Sequence, residues 1–374
     1  MKSNNALFYA TCLSLMFLFN GCEEGSELSG ETDAGWKPIE VASCRAQLGV
    51  SGVTRASGLT EIKTGTLGLY RKATNGYTAL NNVRYTYKKA TEETAAGWES
   101  DNATDAIYVN AKTADIYAVY PYMAIDGEPT NGYQFDGTNV TGMHQQRYYS
   151  DSRNEVMISG DSPANNRAPR LELEMKHIYS RLSLHIENSS EQTYIIKSLT
   201  LQPKAEYTTE AKVNISASSP TPEKTAGSTQ GYSFPFEPTD AVYTAGIAPA
   251  ATDESVEMIW IPQSFSADME ITIVVGVAAD TQQTLWTVTA TLPQAHLPQL
   301  LPATRYILPL KISSFPATLT IGEVTVKDWN AFDMGDISAE PESTITPGGG
   351  PAEEGWGTAE NVGGISAELT PAGS

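Results

Sequence analysis

Between about residue 46 and residue 330 apolar and polar side chains alternate from one turn signal to the next, and no stretch of about twelve residues carries a helical stripe. A period of two sends successive side chains to opposite faces, so such a chain buries a core only by pairing strands and stacking the resulting sheets. The expected fold class is all-β. The clearest strands are Ile116-Tyr117-Ala118-Val119-Tyr120, Leu182-Ser183-Leu184-His185-Ile186, Met269-Glu270-Ile271-Thr272-Ile273-Val274-Val275 and Tyr306-Ile307-Leu308-Pro309-Leu310-Lys311-Ile312. Asn188-Ser189-Ser190 interrupts the pattern near the middle, and each half has the length of a sandwich of about seven strands. The expected organisation is two tandem seven-stranded β-sandwich domains, 56–188 and 191–338.

Two irregularities refine this reading. Pro309 lacks an N–H, so its strand is expected at a sheet edge or at a bulge. In Leu319-Thr320-Ile321-Gly322-Glu323-Val324-Thr325-Val326 the apolar set moves from odd to even positions across Gly322, and a one-residue bulge there would keep both halves on one core.

The N-terminus is of another kind. Lys2 precedes an apolar run over residues 6–19, too short to span ~30 Å of hydrocarbon, and the run ends in Gly21-Cys22 before Glu23 and Glu24. Residues 1–22 read as an export signal. Its end resembles a bacterial lipobox, in which the cysteine is acylated, as with palmitate, and becomes the first residue of the mature chain. The acidic Glu23-Glu24-Gly25-Ser26-Glu27 resembles the export tract of surface lipoproteins. Residues 23–44 are rich in Gly, Ser and Glu and read as a tether.

Of three cysteines, Cys12 lies in the signal and Cys22 at the lipobox, which leaves Cys44 without an intramolecular partner and excludes a disulfide framework. Cys44 is read as a small buried apolar side chain. The four histidines, His144, His177, His185 and His296, have no metal-ligand spacing, and His177 and His185 are placed on the surface or in turns. No metal and no cofactor is expected. No nucleophile elbow, P-loop or dinucleotide fingerprint occurs, and abundant carboxylates do not by themselves assign a catalytic pair. A net charge of −20 argues against nucleic acid as a partner. Tyr117, Tyr120 and Tyr122 are read as packing residues, whereas Tyr148-Tyr149 could equally pack or stack on a ligand.

Lys327 is the last basic residue, and residues 339–374 form an acidic Pro/Gly-rich tail. Within and just before it, Gly335-Asp336-Ile337-Ser338-Ala339-Glu340 returns as Gly363-Gly364-Ile365-Ser366-Ala367-Glu368, each copy following a tryptophan, Trp329 or Trp356. In the second copy Ile365, Ala367 and Leu369 alternate with Ser366, Glu368 and Thr370. One strand cannot bury its apolar face alone, so this one needs another sheet or the edge of its own domain.

Five segments in succession resemble the fimbrillin (type V pilin) family of Bacteroidetes and its fimbrillin-like lipoproteins: Ile116-Tyr117-Ala118-Val119-Tyr120-Pro121-Tyr122; Met175-Lys176-His177-Ile178-Tyr179-Ser180-Arg181-Leu182-Ser183-Leu184; Trp260-Ile261-Pro262-Gln263; Tyr306-Ile307-Leu308-Pro309-Leu310; and Val324-Thr325-Val326-Lys327-Asp328-Trp329. The resemblance implies transthyretin-like sandwiches and a non-enzymatic subunit, exported as a lipoprotein anchored at Cys22 in the outer membrane. A surface arginine-specific protease would then cut it between Arg55 and Ala56. Residues 23–55 would hold the tether and the strand removed by the cut, with Ala46, Leu48 and Val50 facing inward. Another fimbrial subunit would fill the vacated groove with a donor strand, for which Ile337, Ile365, Ala367 and Leu369 are the candidates. The alternative is a surface lipoprotein that binds glycans or host ligands and does not polymerise; a secreted hydrolase is a third reading.

Overall fold

The computed structural model describes residues 35–47, 59–91, 95–102, 105–125, 133–149, 155–217, 220–278, 285–313, 317–329 and 370–371. The lipobox, the Arg55 segment and nearly all of the tail lie outside them.

The first fourteen strands are β1 (Lys37–Pro38), β2 (Glu40–Gln47), β3 (Leu59–Glu61), β4 (Thr66–Arg71), β5 (Leu80–Lys88), β6 (Gly97–Ser100), β7 (Tyr108–Val109), β8 (Ala114–Tyr120), β9 (Gln134–Phe135), β10 (Asn139–His144), β11 (Gln146–Arg147), β12 (Met157–Ser159), β13 (Ser162–Ala164) and β14 (Arg170–His177). The remainder are β15 (Ser180–Asn188), β16 (Tyr194–Pro203), β17 (Tyr207–Asn214), β18 (Glu223–Ser228), β19 (Tyr232–Ser233), β20 (Thr252–Trp260), β21 (Gln263–Ser264), β22 (Met269–Val277), β23 (Leu285–Leu292), β24 (Gln299–Leu300), β25 (Thr304–Ser313), β26 (Thr318–Ile321), β27 (Thr325–Asp328) and β28 (Thr370–Pro371). Among the described residues helix is confined to single turns at Ala241–Thr244 and Gln294–His296. The protein is all-β, and the four strands expected from alternation fall inside β8, β15, β22 and β25.

In the first half the pairing path β12-β14-β2-β6-β5-β4-β8 returns to β12, with β13 and β3 attached to β8 and β2. This path encloses a core that includes Ile62, Leu67, Leu69, Ile107, Ile116, Leu171, Leu173 and Met175. In the second half the sheet β11-β20-β15-β25-β26, with β27 also on β25, faces the sheet β19-β16-β22-β23-β28. Leu182, Leu184 and Met258 of one sheet meet Leu199, Ile271, Ile273 and Val288 of the other in a second core.

The larger sheets hold nine, six, five and four strands, which differs from two sets of seven. The strand Ser180–Asn188, placed in the first half by the break at Asn188, pairs on both sides with β20 and β25 of the second half. Strand β10 also crosses the midpoint, pairing with β17. Between the halves lies a third core, with Tyr70, Tyr117 and Val119 from the first large sheet, Val140, Met143 and Val213 from the four-stranded sheet, and Ile259, Ile261 and Trp329 from the second half. Tyr70 stacks on Tyr117 with ring centroids 5.1 Å apart. Tyr117, Tyr120 and Tyr148 are buried packing residues.

Strand β25 is central, flanked by β15 on one side and by β26 and β27 in succession on the other. Leu310 pairs with Ile321 but Ile307 with Thr325, so the register advances by one residue at the break, which is the expected bulge. Gly322 N–H donates to the Pro309 carbonyl at 2.9 Å, and a Cβ on Gly322 would lie 3.1 Å from Pro309 Cβ. Because N–H and C=O of one strand residue point the same way, the missing N–H of Pro309 faces this break. Val324 lies against the core beyond the bulge, whereas Val326 is 44% exposed.

Candidate assembly site

Strand β2 is built into the first sheet. It runs parallel to β14 over pairs from Arg170↔Glu40 to Met175↔Ala46, and antiparallel to β3 and, at Val41↔Trp98, to β6. Ahead of it β1 pairs with β7, and the Ile39 and Glu40 amides donate to the carbonyls of Ile107 and Pro169 at 2.8 and 3.0 Å. Asn166 Nδ2 donates to the Gly35 carbonyl at 2.8 Å, and Trp36 meets Tyr77 edge to face at 5.9 Å. Taking residues 35–47 away would leave β14 and β3 with open backbone groups above a row formed by Leu171, Leu173 and Met175.

The side chains β2 places inside include the small Cys44 and Ala46. Its inward set is Val41, Cys44 and Ala46, preceded by Ile39, so it begins earlier than the expected Ala46-Leu48-Val50 face, of which Leu48 and Val50 lie outside the described residues. Leu171 pairs with Val41 but Glu172 with Ser43, so Ala42 is bulged out. The bulge brings Cys44 and Ala46 onto the core side beside Leu173 and Met175 and sets Ser43 opposite the outward Glu172, where its Oγ is still buried without a hydrogen-bond partner among the described residues. Cys44 is fully buried, and burial pushes its thiol pKa well up, which keeps it protonated and inert. This agrees with its reading as an apolar filler.

A second strand-binding feature lies at the other end of the chain. Strand β23 is the last long strand of its sheet, with Val288, Ala290 and Leu292 in the core. Its free side is met by β28, through Thr287↔Thr370 and Trp286↔Pro371. Among the described residues β28 is the edge of this sheet, a place where Pro371 is tolerated.

The junction between the halves holds charges that the sequence did not mark. Glu257 receives Arg181 Nη2 at 2.5 Å, Arg305 Nη2 at 2.7 Å and the Ser183 hydroxyl at 2.5 Å, with Arg181 Cζ 4.0 Å from the Tyr148 ring centroid. His177, expected on the surface, is buried against Trp329 with Nδ1 3.5 Å from Glu155. His185 is half-buried, 3.4 Å from Glu254. Among the described residues no group of three or more His, Cys, Asp and Glu side chains could hold a metal ion. Of the residues singled out from sequence, Cys22, Arg55, Ala56, Ile337, Ile365, Ala367 and Leu369 lie outside the described set.

The described residues make an all-β chain with an N-terminal strand embedded in its first core. The fimbrillin-like family model matches residues 54–329, and the chain belongs to that family. Among solved structures it resembles a candidate cell adhesion protein from Bacteroides uniformis, at 16% identity and a TM-score of 0.46 over 78% of this chain and 99% of that one. A second such protein, from Bacteroides ovatus, gives 16% identity and a TM-score of 0.48 over 79% and 99%. A fimbrial assembly protein from Parabacteroides distasonis gives 9% identity and a TM-score of 0.33 over 78% and 100%. No curated protein matches the sequence. The family assignment rests on residues 54–329 alone.

Proposed function

We propose that this chain is a structural, non-catalytic subunit of a cell-surface fimbria, anchored first in the outer membrane by acylation at Cys22. In this reading a surface protease cuts between Arg55 and Ala56, β2 departs, and a strand from another subunit takes its place. The observation that carries the proposal is the setting of β2: hydrogen-bonded on both flanks, lining the core, and joined to the rest of the sandwich only through residues 48–58, which contain Arg55. The family match begins at residue 54 and so leaves β1 and β2 outside it, which supports treating them as separable.

Energetics favour a replacement. A strand bringing larger aliphatic residues than Cys44 and Ala46 would bury more apolar surface wherever the emptied groove widens to take them, at about 1.5–3 kcal/mol per large side chain. Ile365 and Leu369 are such residues. The incoming strand would also satisfy the backbone groups of β14 and β3, which is strand addition at an opened edge.

N-terminal sequencing of surface material, with gel mobility read without boiling, tests the reading. A ladder whose subunits begin at Ala56 is expected from the unaltered protein, and Arg55→Ala should give a monomer that retains β2. Polymeric material still beginning near Cys22 would overturn it.

A further inference from the structure

We propose that the outward face of the β1–β7 ribbon is a carbohydrate-binding platform, on which the ring of an acidic sugar stacks against Trp36 and Tyr108 and its carboxylate faces Lys112. The observation behind this is a pair of exposed aromatic rings. Among the described residues four large apolar side chains stand exposed, and the two aromatic ones, Trp36 at 55% and Tyr108 at 38%, fall on one face of one ribbon. Pro38 pairs with Tyr108 and Lys37 with Val109, and Val109 is fully buried. Trp36 lies two residues before Pro38, so Trp36, the exposed Pro38 and Tyr108 share the outward side.

These rings are braced from beneath. Tyr77 meets Trp36 edge to face, and its hydroxyl accepts from the Asn110 amide at 2.9 Å and donates to the Lys112 carbonyl at 2.7 Å. The Arg71 guanidinium lies 4.8 Å from the Tyr77 ring centroid and donates to the carbonyls of Thr78 and Tyr108. A ring already fixed in this way loses little freedom when a ligand stacks on it.

Positive charge also gathers here, in a chain whose net charge is −20. Arg71 is buried under the platform, and Lys112 Nζ is 3.0 Å from where a Gly76 Cβ would stand, next to Tyr77. Among the described residues neither cation has a carboxylate within ion-pair distance. Carboxylates close by in the fold have other partners: Glu40 pairs with Arg170, and Asp115 accepts from the Thr74 hydroxyl. Charge farther off is screened beyond ~8 Å at physiological salt, so an anion at the platform responds first to Lys112 and Arg71. An aromatic face carries partial negative charge and the C–H bonds of a pyranose carry partial positive charge. A sugar acid offers that ring face and an anion in one small ligand.

The platform is built from two parts of the chain. Trp36 and Pro38 lie ahead of Arg55, whereas Arg71, Tyr77, Tyr108 and Lys112 lie after it. Binding is a property of the uncut chain and needs no second subunit. Only its consequence rests on the proposed function: a ligand that bridges both parts holds β1 and β2 in place after a cut, and their departure dismantles the site.

Calorimetric titration of the uncut full chain tests the platform, with sialyllactose and trigalacturonate as acidic sugars, lactose as a neutral sugar and tetraglutamate as an acidic peptide. At least one acidic sugar should bind about tenfold more tightly than lactose or tetraglutamate, and its affinity should fall about tenfold in Trp36→Ala and in Tyr108→Ala. Raising salt from about 0.05 M to about 0.5 M, or Lys112→Ala, should erase most of the preference over lactose. Two ring variants on separate strands keep the test decisive if one of them does not fold. Failure of both acidic sugars to bind, equal binding of lactose or tetraglutamate, or unchanged affinity in the ring variants overturns the proposal. A chain that is cut and assembles without binding either sugar overturns the platform alone, and a chain that binds but is never cut overturns the assembly reading alone.

Discussion

The imidazole of His177 lies flat on the indole of Trp329, with ring centroids 4.3 Å apart and planes within 6°. His177 ends β14 and Trp329 follows β27, so the stack joins the first sheet to the end of the second half. Burial first, and the nearby Arg181 charge second, lower the His177 pKa from 6.5 to about 3, which keeps the stacked imidazole neutral although its Nδ1 lies 3.5 Å from Glu155.

A pH dependence follows. The unfolded imidazole takes up a proton near its ordinary pKa, whereas the folded one does not. The contribution is therefore complete above pH 6.5 and is lost as pH falls toward 3, at up to about 1.4 kcal/mol per pH unit. His177→Phe keeps a ring on Trp329 and removes the titration. Urea denaturation at about pH 7.5 and about pH 4.5 should show a smaller loss of stability in His177→Phe than in the unaltered chain. Equal losses would show that the proton is not excluded from the folded site.

Glu257 should be among the most sensitive surface-adjacent positions. Its carboxylate answers two guanidiniums, and the side chains of Arg181, Glu257 and Arg305 are only 3%, 13% and 17% exposed. Glu257→Ala leaves two cations facing each other in a poorly hydrated junction, at a cost of about 3–5 kcal/mol. Lys311→Ala breaks an open pair with Glu187, 49% and 45% exposed, and should cost less than about 1 kcal/mol. Chemical denaturation of both variants reads the contrast.

Ser43 offers the opposite sign. Its buried hydroxyl has no partner among the described residues, so Ser43→Ala removes a desolvated polar group and should stabilise the uncleaved protein by about 1 kcal/mol. The same change should slow the departure of β2 after a cut at Arg55. Thermal unfolding before proteolysis and release of the N-terminal peptide after it measure the two effects.

How much of this was legible from sequence depends on the kind of signal. Alternation located the long strands, because a half-buried strand writes its two faces into every second residue. It also exposed the bulge at Gly322, where the phase switch and the mutual fit with Pro309 coincide. The same signal is present in β2, where Ile39 and Val41 give way to Cys44 and Ala46, but no glycine marks Ala42, so of the inward face the sequence reading reaches Ala46 and not Ile39 and Val41 before it. Which strands become neighbours was not legible. The parallel pairings β14–β2 and β15–β25 and the crossing pair β10–β17 depend on register between distant segments, about which period two says only the face. His177 was misplaced for a related reason: its partner Trp329 is far away in sequence, and a lone histidine after an alternating run looks the same whether a distant ring covers it or water does.

The run of β2 alongside β14 carries an implication about symmetry. A strand that takes this place reproduces both ladders, parallel to β14 and antiparallel to β3, only by running in the direction β2 runs. Giver and receiver would then meet through unlike surfaces, tail against groove, and each added subunit would repeat the orientation of the last. A heterologous contact of this kind need not close into a ring, and where it does not, it propagates as an open filament. Such a filament would have a polarity, with an unfilled groove at one end and an unused tail at the other.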